Sequence, residues 1–184
     1  MAQNTTSAQK RAWQESNHAS LCLLGSYLRE QHFFQPLETR VHVQQKTLKY
    51  TPVQKLEMLF VSVLAGAKAV AHTDFTLRAD PALYRAFGLP GCAEQSVIAD
   101  TLDAATEADL AALRQAMTDL FERYSQARRH DFRQALLVLD VDLSPLQALR
   151  HAEGSERGYM GRSRSKTGRK LVRVRAAHYQ ETVS

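Results

Sequence analysis

Asp140 and Asp142 are the side chains whose type and spacing most directly invite chemistry. They lie in the run Leu136-Leu137-Val138-Leu139-Asp140-Val141-Asp142-Leu143-Ser144-Pro145, where four aliphatic residues lead straight into two carboxylates one residue apart. A short apolar run of branched residues predicts a buried strand, and Pro145 is expected to stop it. Alternate side chains of a strand share a face, so Asp140 and Asp142 point one way and Leu139, Val141 and Leu143 the other. Two carboxylates at the end of a hydrophobic strand are costly unless a cation or a proton lies between them. Mg2+ takes such an oxygen pair and keeps its remaining positions for water and substrate phosphate. The competing reading is a strand end whose aspartates are simply solvated or cap the next turn.

The second candidate is the basic segment just downstream. Arg157, Arg162, Arg164, Lys166, Arg169, Lys170, Arg173 and Arg175 are interspersed with Gly154, Gly158, Gly161 and Gly168, with Tyr159 among them; the acids Glu153 and Glu156 come only at its start. Such a segment lays cations against a phosphate backbone beside a metal-binding strand, or else is a solvated charged face. Gly161 to Thr167 fails as a nucleotide phosphate loop, because Ser165 stands where the second Gly should precede Lys166-Thr167. Between Lys170 and Ala176, Leu171, Arg173 and Arg175 alternate with Val172, Val174 and Ala176, which predicts a second strand pairing with the first. His151 and His178 read as surface or strand-edge histidines.

The elements that must position these groups are mostly helical. Residues 1–16 are polar and expected to fray, with Trp13 their only large anchor. Leu21, Leu24, Tyr27, Leu28 and, at its end, Phe34 have helical spacing within 17–34, and Pro36 is expected to end that element. Val41 and Val43 alternate with His42 and Gln44 like a strand edge. Thr51-Pro52-Val53-Gln54 carries a cap, an N1 proline and a capping-box glutamine. The helix after it is expected to bury Val53, Leu56, Phe60, Val63, Ala67 and Val70, widened by Leu59 and Leu64. Asp80-Pro81 opens a short helix that Gly88 can end, and a second short helix is expected from about Ala93 to Leu102. This pair invites a helix-turn-helix reading. Glu94, Asp100 and Asp103 favour a structural hairpin, because base edges are read mainly by Arg, Lys, Asn and Gln. Thr106-Glu107-Ala108-Asp109 starts a further helix with Leu110, Leu113, Met117, Leu120 and Tyr124 as its stripe and Arg128, Arg129 and His130 at its carbonyl end.

The composition changes near His130, dividing the chain into a flexible N-terminus (1–16), a helical region (17–130) and a strand-plus-basic region (131–184). Hydrophobic residues make up 44% of the chain, enough for a real core, and the net charge of +5 favours a polyanionic partner because its cations cluster. Cys22 and Cys92 have no metal-ligand spacing and suit a reducing cytoplasm. The N-terminus has no charged and apolar segments of a signal peptide. The longest apolar stretch, Met58 to Ala71, contains Lys68 and is too short to span a bilayer.

From about Thr51 onward the chain resembles insertion-sequence transposases of the DDE type. The residues that carry the likeness are Leu-Val-Leu-Asp140-Val-Asp142-Leu-Ser144, followed by Glu153-Gly154-Ser155-Glu156-Arg157-Gly158-Tyr159. The helical region around Phe87-Gly88-Leu89-Pro90-Gly91-Cys92 is similar to the domain those enzymes place before their catalytic core. The resemblance implies a mainly α N-terminal region followed by the first strands of an α/β RNase H-like domain, incomplete at Ser184. It implies two-metal phosphoryl transfer with Mg2+ or Mn2+, cutting transposon ends and joining them to target DNA. Asp142, two residues before Ser144, matches the family's first aspartate best, and Asp140 is the fallback. The family's second aspartate and late glutamate have no counterpart before Ser184, so the resemblance implies a fragment inactive alone. Its partners would be transposon and target DNA, with a homodimer possible for the full-length enzyme, and its location the bacterial nucleoid. Two alternatives remain open. Asp140-Val-Asp142-Leu-Ser144 is also close to the motif of haloacid-dehalogenase-like phosphatases, with Asp140 as nucleophile and Asp142 as general acid/base. A non-enzymatic basic DNA-binding module, with structural aspartates, is the other.

Overall fold

A computed structural model describes residues 15–46, 49–148, 150–160 and 163–182; Trp13 and Arg162 lie outside them. The chain divides into two compact units, Met1–Ala116 and Met117–Ser184. The division falls inside a helix rather than at the change of composition near His130.

The first unit is helical: α1 (Ala19–Glu30), α2 (Gln35–Arg40), α3 (Pro52–Leu64), α4 (Thr73–Thr76), α5 (Pro81–Ala86), α6 (Gln95–Asp103) and the start of α7 (Glu107–Tyr124). Local chemistry sets most of these ends. Thr51 Oγ1 accepts from the Gln54 amide at 3.1 Å while Gln54 Oε1 accepts from the Thr51 amide at 3.0 Å, closing the expected capping box. Asp80 caps α5 by accepting from the Leu83 amide at 2.9 Å, and Gly88 takes φ +83 just beyond the helix. Ser16 and His18 also lie on that carboxylate, at 2.5 and 3.3 Å. Burial pushes Asp80 up, but the donors from Ser16, Leu83 and His18 outweigh it and hold the group below its ordinary range.

Three expectations need correction. Pro36 does not end α1, which stops at Glu30; it occupies the first turn of α2, where its missing N–H costs no bond. Val41 and Val43 form no strand; they are buried in an extended segment that packs on Val53, Leu37, Leu56, Ala112 and Leu113. In α3 the buried residues are Val53, Lys55, Glu57, Met58, Val61 and Ser62, whereas Phe60 and Val63 are 39% and 56% exposed. The helix ends at Leu64, so Ala67 and Val70 fall outside it. Its inward side is chosen by what it meets: Met58 and Val61 join Leu77, Leu83, Phe87, Leu89 and Ile98 in the main core, and Glu57 is carried in with them. The buried line of α7 likewise runs through Ala116 and Leu120, leaving Met117 half exposed. In α6, Ile98 and Thr101 are buried, and the helix packs on α3.

The second unit is an antiparallel sheet of β1 (Leu139–Gln147), β2 (Glu156–Met160), β3 (Ser163–Ala176) and β4 (Glu181–Thr182). β3 is central, with β1 on one side and β2 and β4 on the other. The expected pairing of the two strands is present, running from Leu139↔Ala176 to Gln147↔Gly168. Gly168 is needed where it stands, because a Cβ there would run into the Leu146 carbonyl oxygen. Two expectations about β1 fail. Pro145 does not stop it, since on an edge strand the missing N–H can face outward and pairing continues to Gln147. Nor is β1 buried: all of it is exposed except Ser144, which is half-buried. An edge strand has one neighbour, and burial needs a layer over its apolar face; Val141, Leu143 and Val172 remain more than 60% exposed.

Candidate functional site

The β1–β3 register sorts the candidate residues onto two faces. Directly opposed residues of an antiparallel pair share a face. Asp140 stands across from Arg175, Asp142 from Arg173, Ser144 from Leu171 and Leu146 from Arg169. Arg157 on β2 stands across from Thr167, on the same side. The opposite face is apolar toward its β1 end, with Leu139, Val141, Leu143, Val172, Val174 and Ala176, and carries Lys170 and Lys166 farther along. Of the expected cations, Arg157, Arg169, Arg173 and Arg175 therefore accompany the aspartates, whereas Lys166 and Lys170 do not. Arg164 lies within β3.

Asp142 Oδ2 accepts from Ser144 Oγ at 3.0 Å and faces Arg173 Nη2 at 3.5 Å. The Asp142 and Arg173 side chains are 53% and 55% exposed, so this pair contributes at most about 1 kcal/mol. Arg175 Nη2 donates to Gln180 Oε1 at 3.2 Å. Four arginines against two aspartates leave the face with a surplus of two positive charges.

The carboxylates set a limit on metal chemistry. Among the described residues no third His, Cys, Asp or Glu converges with Asp140 and Asp142. Mg2+ is commonly held by one or two carboxylates with water and substrate phosphate. The exposed pair fits one hydrated ion shared with a phosphate; a two-ion centre takes further ligands, which the described residues do not bring to it.

Two residues that sequence reasoning missed or underread hold the chain before β1 to the chain after β3. Glu181 accepts from Ser125 Oγ at 2.6 Å and from the amides of Gln126 and Ala127 at 2.9 and 3.1 Å. It thereby caps the short 3-10 turn Ala127–Arg129. Donation from Ser125 and the Gln126 amide keeps its carboxyl below the usual range. His130 lies 2.8 Å from the Tyr179 hydroxyl through Nδ1 and 3.0 Å from the Ala135 carbonyl through Nε2. A carbonyl only accepts, so Nε2 carries a proton and donates to Ala135, while Nδ1 shares the second bond with the Tyr179 hydroxyl. A lone Glu near the end of a sequence gives no signal of such a contact; Ser125-Gln126 at a helix end is its only trace.

The chain matches no known family model, no curated protein and no solved structure. Among the described residues no helix is long and apolar enough to cross a membrane.

Proposed function

We propose that this chain serves DNA transposition as part of a DDE-type transposase, its arginine-bearing sheet face lying on DNA phosphates with Asp142 and Asp140 presented beside them. The observation that carries the reading is the sharing of one sheet face by both aspartates and four arginines. Arg157, Arg169, Arg173 and Arg175 would neutralise backbone phosphates, and Ser144 fixes the orientation of the Asp142 carboxylate. A divalent ion held by the two aspartates would polarise a phosphoryl oxygen and the attacking water or 3′-hydroxyl. The antiparallel β1–β3 pair is the part that would open an RNase H-like sheet. Nucleoid association and a homodimeric active form belong to the same reading. The ion pair between Asp142 and Arg173 favours a second one, a basic DNA-binding module whose aspartates are structural.

Binding of fluorescent duplex DNA as a function of salt tests both. Four phosphate contacts give a log–log slope of about −3.6, or about a hundredfold loss of affinity between 50 and 200 mM salt. On the transposase reading, Mg2+ at constant ionic strength tightens binding, and Asp142→Ala removes that gain. On the module reading, Mg2+ does nothing beyond screening and Asp142→Ala leaves affinity level or higher. A salt-insensitive affinity sinks both.

A further inference from the structure

The helical unit holds a carboxylate that no other described residue pairs with. Glu57 on α3 is 7% exposed, and among the described residues no hydrogen bond or ion pair reaches its side chain. It lines two hollows of about 480 and about 330 Å³, and Glu38 of α2 and Gln54 line both with it. Gln54 Oε1 is already engaged by the Thr51 amide. The smaller hollow is walled by Leu28, Phe33, Phe34, Phe87 and Leu89. Phe33 and Phe34 meet edge to face, with ring centroids 5.2 Å apart. The titratable groups around Glu57 are Glu38 from α2, His42 beyond it, and exposed Arg29 and His32 from α1 and its end. Neither Arg29 nor a histidine approaches Glu57 closely enough to pair with it among the described residues.

Glu57, buried as a residue but opening onto the hollows, and exposed Glu38 beside it offer carboxylates that a proton or a cation can satisfy. The walls decide which kind. A hard metal ion wants several oxygens, and here two carboxylates stand among aromatic and aliphatic side chains. A guanidinium is planar, weakly hydrated, offers several N–H donors to carboxylates and lies comfortably on aromatic rings. We propose that the hollow between α1, α2 and α3 binds a guanidinium on an apolar stem, with Glu57 and Glu38 accepting its N–H donors and the phenylalanines flanking it. The group could arrive as an arginine side chain of a protein partner or as a free guanidino compound. This inference stands independently of the DNA-binding reading.

Calorimetric titration of the full chain with agmatine, and separately with an N-acetylated, C-amidated Gly-Arg-Gly peptide, tests it. Saturable binding is expected, weakened at least tenfold by Glu57→Gln and less by Glu38→Gln. Glu57 ionises near neutral pH, at about 7, so binding a cation must expel its proton at lower pH. Affinity should therefore rise about fivefold from pH 6 to 7 and about twofold more by pH 8, levelling off above that. Binding of the peptide as well as agmatine assigns the source to a partner's arginine; binding of agmatine alone assigns it to a free compound; either supports the site. The idea is overturned if neither probe saturates at millimolar concentration, if Mg2+ or Ca2+ displaces agmatine at matched ionic strength, or if Glu57→Gln, folded by circular dichroism, binds unchanged. Should that variant not fold, a flat pH profile of the unaltered chain overturns it equally.

Discussion

Glu57 should make the helical unit lose stability as pH rises toward neutrality, the reverse of a typical paired carboxylate. Burial, and then the charge of Glu38, raise it from 4.5 to about 7 in the folded chain. Between those values the folded state binds more protons than the unfolded one. Stability is thus greatest below about 4.5, falls as pH rises through the interval and is flat above about 7. At about 1.4 kcal/mol per pH unit, that interval amounts to roughly 3 kcal/mol. The comparison is with Glu57→Gln, which keeps the shape and cannot ionise. Any cost of leaving a buried amide unpaired is the same at every pH and cancels when the variant's advantage is compared across pH. Urea unfolding followed by helical circular dichroism should show that advantage growing by about 2 to 3 kcal/mol from pH 5 to pH 8. A difference that stays constant over that range would refute the claim that Glu57 is both buried and unpaired.

Two further changes test the packing and the strand anchor. Gly25→Ala places a Cβ 2.5 Å from the Phe87 ring, so it should cost about 1 to 3 kcal/mol in urea unfolding where an exposed helical glycine would gain about 1; recovery in the double variant with Phe87→Leu would fix the cause as that ring. Glu181, held below its ordinary range by Ser125 and the Gln126 amide, contributes stability that is present above its unfolded value near 4.5 and is lost as pH falls through its depressed folded value. Glu181→Gln should therefore lower hydrogen-exchange protection of the Gln126 and Ala127 amides at pH 7, with the two proteins converging in acid; equal protection at pH 7 would dismiss the cap.

How far the sequence was legible depends on whether a feature is local. The capping box at Thr51 and Gln54 and the Asp80 cap involve residues three apart, and both are present as expected. Strand alternation is equally local, so Asp140 and Asp142 share a face and the pairing of 170–176 with the first strand holds. Burial is not local. The aliphatic run 136–139 predicted a hidden strand, but a strand is hidden only by what packs over it, and β1 lies at an edge. Glu57 was invisible for the opposite reason: a carboxylate on a helix is ordinarily read as solvated, and only Met58 and Val61 turning inward draws it into the core. Glu181 and His130 depend on contacts some fifty residues away, which no spacing rule anticipates.

The Asp142–Arg173 contact looks at first like evidence against a metal at this strand, since the arginine occupies the oxygen an ion would take. Its magnitude argues otherwise. At 3.5 Å and about half exposure it is among the weakest of ion pairs. A phosphate offers the same guanidinium a shorter, bidentate partner worth more than an exposed carboxylate. On the proposed reading, then, DNA arriving on the arginine face would draw Arg173 away from Asp142, leaving that carboxylate oriented by Ser144 and free for a cation beside the phosphate. The two aspartates would become available only where nucleic acid is already bound. That order of events predicts Mg2+ affinity at Asp140 and Asp142 that is weak in the free chain and at least tenfold tighter with duplex DNA present, measured by Mn2+ paramagnetic broadening at these residues. Equal affinity with and without DNA, or broadening that survives in Asp142→Ala, would show that the arginine does not stand between the two functions.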